Sequence, residues 1–342
     1  MARTVLITGG SGYFGSLLAR KALAAGDRVR VLDINPPEVD LDVDFVRADV
    51  RDLESVEQAC AGVELVLHNV AQVPLARDRD LFWSVNLGGT ANVLLAARNA
   101  GVSKVVHTSS SAIFGIPDSN PVTETTPPRP LEAYGRAKLA AEAVIADAVE
   151  GGLDVSVIRP RTILGHGRLG IMAVLFDFVS EGAPVFTLGD GSNRYQFVHA
   201  DDLADACLLA ADRPGPAVYN IGATDFDTMR STLQALVDHA KTGSTVRSLP
   251  SAPARAAMRA LSSARLVPFA PYHWLLYGES LWFDTTRAER ELGWKANFSN
   301  AEMLIDSYEW FLAHRHDPAS AHRSQHQSLV RLGALRFLKR LG

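Results

Sequence analysis

Residues 4–15 read TVLITGGSGYFG. A β-branched apolar run ends at Thr8, glycines follow at positions 9, 10, 12 and 15, and SLLARKALAAG (16–26) resumes with apolar residues at helical spacing. The first run is a strand signal and the second an amphipathic-helix signal, so the glycines mark a strand-to-helix turn. A helix starting there leaves its first N–H groups unpaired and the positive end of its dipole exposed, so an anion belongs at the turn.

The glycine positions say which anion. Gly9 permits the tight turn, Gly12 lets the backbone approach a pyrophosphate because no Cβ intervenes, and Gly15 lets the helix lie close to the sheet. Tyr13 and Phe14, between the last two glycines, are expected against the same ligand. Asp33 ends the next apolar run, VRVLDI, 18 residues past Gly15. A carboxylate there would bind the adenosine ribose hydroxyls and repel a 2′-phosphate, which favours NAD over NADP.

Outward from this turn, TVLITG, RVRVLDI, DFVRADV, ELVLHNVA, KVVHTSS and DVSVIRP read as strands. Helical patterns at 12–25, 53–61, 81–100 and 134–149 alternate with them. Apolar strands alternating with helices predict an α/β fold, a Rossmann-type, doubly wound parallel sheet covered on both faces. This NAD-binding domain is expected over residues 1–162. Beyond it the pattern loosens into Gly- and Pro-rich stretches. A smaller C-terminal α/β substrate domain is expected over 163–315, with 197–222 packing back on the first domain. Residues 316–342 form a tail with five Lys or Arg against one Asp, and leucines recur at 329, 332, 335, 338 and 341. Such a basic amphipathic segment could touch anionic lipid weakly.

The chain has 342 residues, 47% hydrophobic and 21% charged, with a formal charge of −4. That composition is globular and carries no broad basic field, so nucleic acid is excluded as a principal partner. Cys60 and Cys207 are too few for a disulfide framework. The N-terminus runs directly into the first strand and no apolar run approaches the roughly 20 residues of a membrane span, so a cytoplasmic protein is expected.

A second motif carries chemistry. After the serine-rich end of the fifth strand, HTSSSAIFG (107–115), comes YGRAK, Tyr134 to Lys138. On a helix, i and i+4 share a face, so the phenol and the ammonium project together. A lysine cation lowers the pKa of a neighbouring phenol, and a serine hydroxyl can hydrogen-bond a reacting oxygen.

With these residues the sequence resembles the extended short-chain dehydrogenase/reductases, the NAD-dependent epimerase/dehydratase group, over about residues 3–312. The resemblance also rests on ADV (48–50), HNVAQV (68–73), NLGGTANVL (86–94), FVHADDLADA (197–206) and RAERELGW (287–294). It implies Tyr134 as general acid/base, Lys138 on the nicotinamide ribose and Ser110 on the substrate oxygen. It implies Asp49 and Val50 around the adenine, with Val70, Ala71, Asn86, Ser109 and Pro160 completing the cofactor contacts. Ser111, Thr162 and Arg194 are the implied substrate contacts. Homodimerisation through the helices at 81–100 and 134–149 is a family habit.

Three departures bear on the substrate. Ser111 and Ala112 follow Ser110 where the family's dehydratases carry an acidic pair. RPRT (159–162) replaces the RxFN of many nucleotide-sugar enzymes. Tyr195 stands where an arginine usually precedes the FVH stretch, with Arg194 one position earlier. The last two departures are shared with a branch resembling steroid dehydrogenases and β-keto-acid reductases. Arg161, Arg168 and Arg194 still offer cations for a diphosphate. The resulting expectation is an NAD-dependent 4-epimerase of a nucleotide-activated sugar. The alternatives are a net dehydrogenase of a 3β-hydroxysteroid-like or β-hydroxy/keto acid substrate, and a non-catalytic NAD-binding protein. His166, His199 and Asp201 form no convincing metal set, so no metal is expected.

Overall fold

The computed structural model describes residues 2–37, 41–72, 79–169, 172–264 and 277–315. Seven strands form one parallel sheet: β1 (Thr4–Thr8), β2 (Arg28–Asp33), β3 (Asp44–Arg47), β4 (Leu65–His68), β5 (Lys104–Thr108), β6 (Val155–Pro160) and β10 (Ala217–Ile221). Their spatial order is β10-β6-β5-β4-β1-β2-β3. The order reverses between β1 and β4, where the crevice for a ligand opens at the carboxyl ends of the strands.

Alternate residues of each strand serve opposite faces. Val5, Ile7, Leu67, Val106 and Ile158 pack beneath α1 (Tyr13–Ala24) and α7 (Ala200–Asp212). Leu6, Val66, Val105 and Val157 pack on the other side with α2 (Leu53–Cys60), α4 (Thr90–Ala100) and α5 (Ala133–Glu150). Burial on both faces is why these strands read as continuous apolar runs rather than alternating ones.

The helix expected over 81–100 is not uniform. A single turn, α3 (Arg79–Leu81), leads into a π-helical stretch at Phe82–Gly89 before α4. The chain must pass tightly over β3's exit here: a Cβ on Gly89 would lie 2.6 Å from Val50 Cγ2. The wide turns bring Asn86 inward, where it is fully buried.

The remaining elements build a cap. β7 (Thr162–Leu164) pairs with β9 (Phe197–His199), and β8 (Val185–Leu188) with β11 (Val246–Leu249). Around them lie α6 (Met172–Ser180), α8 (Met229–Ala240), α9 (Ser251–Ser263) and α11 (Asn300–His314), while α10 (Thr286–Leu292) docks against α7 and β10. Thr228 caps α8, and Ser299 with Glu302 forms a capping box on α11. The cap has its own apolar core of Phe176, Leu233, Met303, Tyr308 and Phe311. Within 197–222, α7 and β10 return to the sheet. The basic tail at 316–342 lies outside the described residues.

Candidate active site

A cavity of about 910 Å³ runs from the glycine turn, past the ends of β1, β4, β5 and β6, and on between sheet and cap. Its wall contains Gly9, Gly12, Tyr13, Phe14, Gly15, Asp33, Asp49, Val50, Val70 and Ala71 at one end. Ser109, Ser110, Ser111, Tyr134, Lys138, Pro160 and Thr162 line its middle.

The glycines differ in what they permit. Gly9 holds φ +72°, a left-handed conformation. A Cβ on Gly15 would overlap the Gly9 carbonyl oxygen, so the first turn of α1 rests directly on the loop. A Cβ on Gly12 would meet only that oxygen, at 3.4 Å, and would otherwise point into open cavity. No side chain caps α1, whose N-cap is Gly12, so its leading N–H groups remain available to an anion. Asp33 accepts from the N–H groups of Ser11 (3.2 Å) and Asn35 (3.0 Å). Burial raises its pKa, and those backbone donors oppose the rise. This cradle fits a dinucleotide with a free ribose diol.

Tyr134 is set by the start of α5. The Glu132 carboxylate caps that helix, accepting from the N–H groups of Tyr134 and Gly135, both at 2.8 Å. Gly135 is required by proximity: a Cβ there would lie 2.5 Å from the Ala112 carbonyl oxygen. The phenol therefore comes against the turn at Ser111–Ile113, whose N-cap is Ser110. The Ser110 hydroxyl accepts from the Ala112 N–H at 3.2 Å and hydrogen-bonds the phenol of Tyr134. Burial pushes the phenol up to about 12, while the Ser110 hydrogen bond and the Arg168 charge act to lower it and Glu132 acts to raise it.

Lys138, one helical turn on from Tyr134, lines the same cavity wall, and its ammonium donates to the Thr108 carbonyl at 2.8 Å. Lys138 is 1% exposed, and burial lowers its pKa to about 8 against the opposing pull of Glu142. Glu142 in turn accepts from Ser109 Oγ and from Arg159, whose Nη2 lies 2.6 Å away. Ser109 is thus tied into the wall behind Lys138.

Two expected contacts are not brought to the cavity. Asn86 accepts from the Gln72 N–H at 2.7 Å and donates to its carbonyl at 3.0 Å, which fixes the loop after β4 rather than touching a ligand. Arg194 is exposed and lies 4.8 Å over both Phe226 and Trp282, so those rings hold its guanidinium away from the cavity. Ser111 and Thr162 do line the wall, with the Thr162 hydroxyl 2.9 Å from that of Tyr195.

The far half of the cavity was not anticipated. Met172, Leu175 and Phe178 of α6, Val185 and Phe186 of β8, and Ala254, Met258 and Leu261 of α9 make it apolar. The amphipathic spacing of SAPARAAMRALSS (251–263) marks one apolar face but not its partners, which come from separate parts of the chain. The cap also brings His166 and His199 to Asp306, with His166 Nε2 2.6 Å from Oδ1. His199 Nδ1 accepts the Asp201 N–H at 3.2 Å, so its neutral form carries the proton on Nε2, facing Asp306 at 3.4 Å. The two imidazoles and the carboxylate thus form one hydrogen-bonded cluster in the cap.

The glycine cradle, Asp33 and the Ser110–Tyr134–Lys138 group coincide with a family pattern: that of the NAD dependent epimerase/dehydratase family matches residues 5–222. The chain belongs to this family. NAD is therefore its cofactor, and the chain is an enzyme of the extended short-chain dehydrogenase/reductase type. Among relatives, protein y4nG of Sinorhizobium fredii is 47% identical over 340 residues, covering 99% of this chain and 86% of its own. The human sterol-4-alpha-carboxylate 3-dehydrogenase (decarboxylating) is 30% identical over 217 residues, covering 62% of this chain and 58% of that enzyme. Among solved structures, the Thermus thermophilus UDP-glucose 4-epimerase in complex with NAD aligns with a TM-score of 0.73 and 28% identity, over 90% of this chain and 99% of that one.

Proposed function

We propose that this family member interconverts an apolar secondary alcohol and its ketone, using NAD as the hydride acceptor. The observation that carries the reading is the apolar far half of the cavity. A nucleotide diphosphate pressed against Met172, Phe178, Met258 and Leu261 would lose its hydration without gaining partners there, whereas a steroid-sized or long-chain body would be stabilised by burial. The similarity to a sterol dehydrogenase supports the same reading.

In this mechanism Ser110 and Tyr134 hold the carbinol oxygen between them. Held by the glycine cradle and Asp33, NAD would supply the hydride acceptor for the carbinol carbon. Tyr134 takes the hydroxyl proton as the carbonyl forms, and returns it in the reverse direction. The balance is secondary alcohol plus NAD⁺ giving ketone, NADH and a proton. Lys138, beside the Thr108 carbonyl, serves the nicotinamide ribose. Residues 1–162 with 197–222 hold the cofactor and 163–315 the substrate. A basic tail at 316–342 suits a substrate that partitions into membranes.

Nucleotide-sugar 4-epimerisation is the second reading. It uses the same three residues and is favoured by the match along nearly the whole Thermus epimerase. The experiment that separates them incubates the protein with NAD⁺ and either 3β-hydroxysteroids and long-chain hydroxy acids, or UDP-, dTDP- and GDP-sugars. The dehydrogenase reading expects NADH in proportion to ketone. Epimer formed without NADH would establish the second reading instead.

A further inference from the structure

Arg161 is buried without a counter-ion. It follows Pro160 at the end of β6, lies in the cavity wall and is 1% exposed. Among the described residues, none of Nε, Nη1 and Nη2 has a hydrogen-bond partner. Its guanidinium lies 4.7 Å from the centre of the Tyr195 ring and 5.6 Å from that of Phe283. Arg159, two residues earlier and also buried, is treated quite differently: Glu142 accepts from its Nε and Nη2. The fold thus supplies a carboxylate to one arginine and none to the other. Ring faces offset part of the cost of burying a guanidinium, but they satisfy none of its five donors.

Arg161 also emerges beside the chemistry. β5 and β6 are paired neighbours, and the Ser109 N–H donates to the Ile158 carbonyl at 2.7 Å. The chain end carrying Arg161 is therefore adjacent to the one carrying Ser110.

We propose that Arg161 is the receptor for a substrate carboxylate borne close to the reacting carbinol, so that the substrate is an apolar hydroxy or keto acid. This rests on the dehydrogenase reading above. The planar fork of a guanidinium matches a carboxylate in two parallel hydrogen bonds. One monoanion neutralises Arg161, whereas a diphosphate would bring surplus charge against the Leu, Met and Phe wall. The three nitrogens are closed to water, so the carboxylate engages them by an induced fit in which Tyr195 or Arg161 itself turns.

The test uses the full chain with NAD⁺ and two probes, 3-hydroxyhexadecanoate and its methyl ester. The acid is expected to exceed the ester in kcat/KM by about 10²-fold or more, as for other buried charge pairs. Arg161→Met should bring acid and ester to within a few-fold of each other, while Arg161→Lys restores part of the preference. Because an unpaired buried cation is replaced by an apolar chain, Arg161→Met should melt at or above the wild-type temperature without ligand. Equal use of acid and ester by the wild type overturns the assignment. So does an Arg161→Met protein that melts lower and keeps the acid preference, which would make Arg161 a structural brace. A parallel melt with NADH and either hexadecanoate or hexadecanol reads the same residue without turnover. Only the acid should stabilise the wild type, and neither should distinguish Arg161→Met. Turnover of neither probe together with epimerisation of a nucleotide sugar removes the dehydrogenase reading, while the paired melts still judge Arg161.

Discussion

Two glycines in one turn should fail in opposite ways when given a methyl group. In Gly15→Ala the new Cβ would overlap the Gly9 carbonyl oxygen and sit 2.7 Å from Gly10 Cα, roughly 1 Å inside ordinary carbon contact. Both obstacles are backbone, so relief requires α1 to lift off the loop. Overpacking of this kind costs about 1–3 kcal/mol, which in a chain of 342 residues lowers Tm by roughly 1–4 °C. In Gly12→Ala the Cβ meets only the Gly9 oxygen at 3.4 Å, and φ is −73°, which any residue adopts. The structural cost is the weaker N-cap, about 1 kcal/mol or less. The methyl group instead occupies the space a pyrophosphate needs, so NAD affinity should fall at least about tenfold, or 1.4 kcal/mol. Thermal melts with and without NAD, together with fluorescence titration of the cofactor, separate the two effects. Gly15→Ala should melt early in both conditions. Gly12→Ala should melt near the wild type alone and lose most of the stabilisation by NAD. An unchanged NAD affinity in Gly12→Ala would refute the placement of the pyrophosphate at this turn.

Tyr134→Phe removes only the proton-transferring hydroxyl, so turnover should drop about 10²–10⁴-fold with NAD affinity retained; titration and initial rates check this, and full activity would refute the mechanism. Lys138 has its pKa lowered by burial to about 8 from an ordinary value of 10.5, so the folded state binds its proton less readily than the unfolded chain. The buried charge therefore opposes folding fully below about pH 8, and the opposition fades as pH rises toward 10.5. The Tm of Lys138→Met relative to wild type, without cofactor, should accordingly be most favourable near pH 7 and less so near pH 10; a difference that does not vary with pH would contradict the assignment.

The dinucleotide half of the molecule was legible because its determinants are local. Gly9, Gly12 and Gly15 act within one turn, Asp33 ends the adjacent strand, and Tyr134 and Lys138 are one helical turn apart. The six predicted strands of the first domain all appear. The π-helical stretch was missed because its cause is distant: Gly89 answers to Val50, and Asn86 to Gln72. Asn86 was read as a ligand contact when its amide holds the backbone of a loop. Arg194 was read from its place beside FVH, but Phe226 and Trp282, which draw it away, cannot be paired with it by spacing. The apolar far half is assembled from α6, β8 and α9, none of which shows its partner in sequence. Arg161 shows the limit most plainly, since the absence of a counter-ion becomes visible only in three dimensions.

The polypeptide passes between sheet and cap repeatedly: at Arg161, at His199–Ala200, around Gly222, near Thr285 and again at Ser299. A single linker would leave one body free to swing on the other. Tethers spread across the boundary oppose such a swing about more than one axis. Mechanically, then, the molecule is a vice whose jaws are welded at several points. The crossings join the side that carries Asp33 and Tyr134 to the cap at several separated points. α9 closes the far end of the cavity, with Ala254, Met258 and Leu261 against it and Ala252, Ala256 and Ala260 exposed.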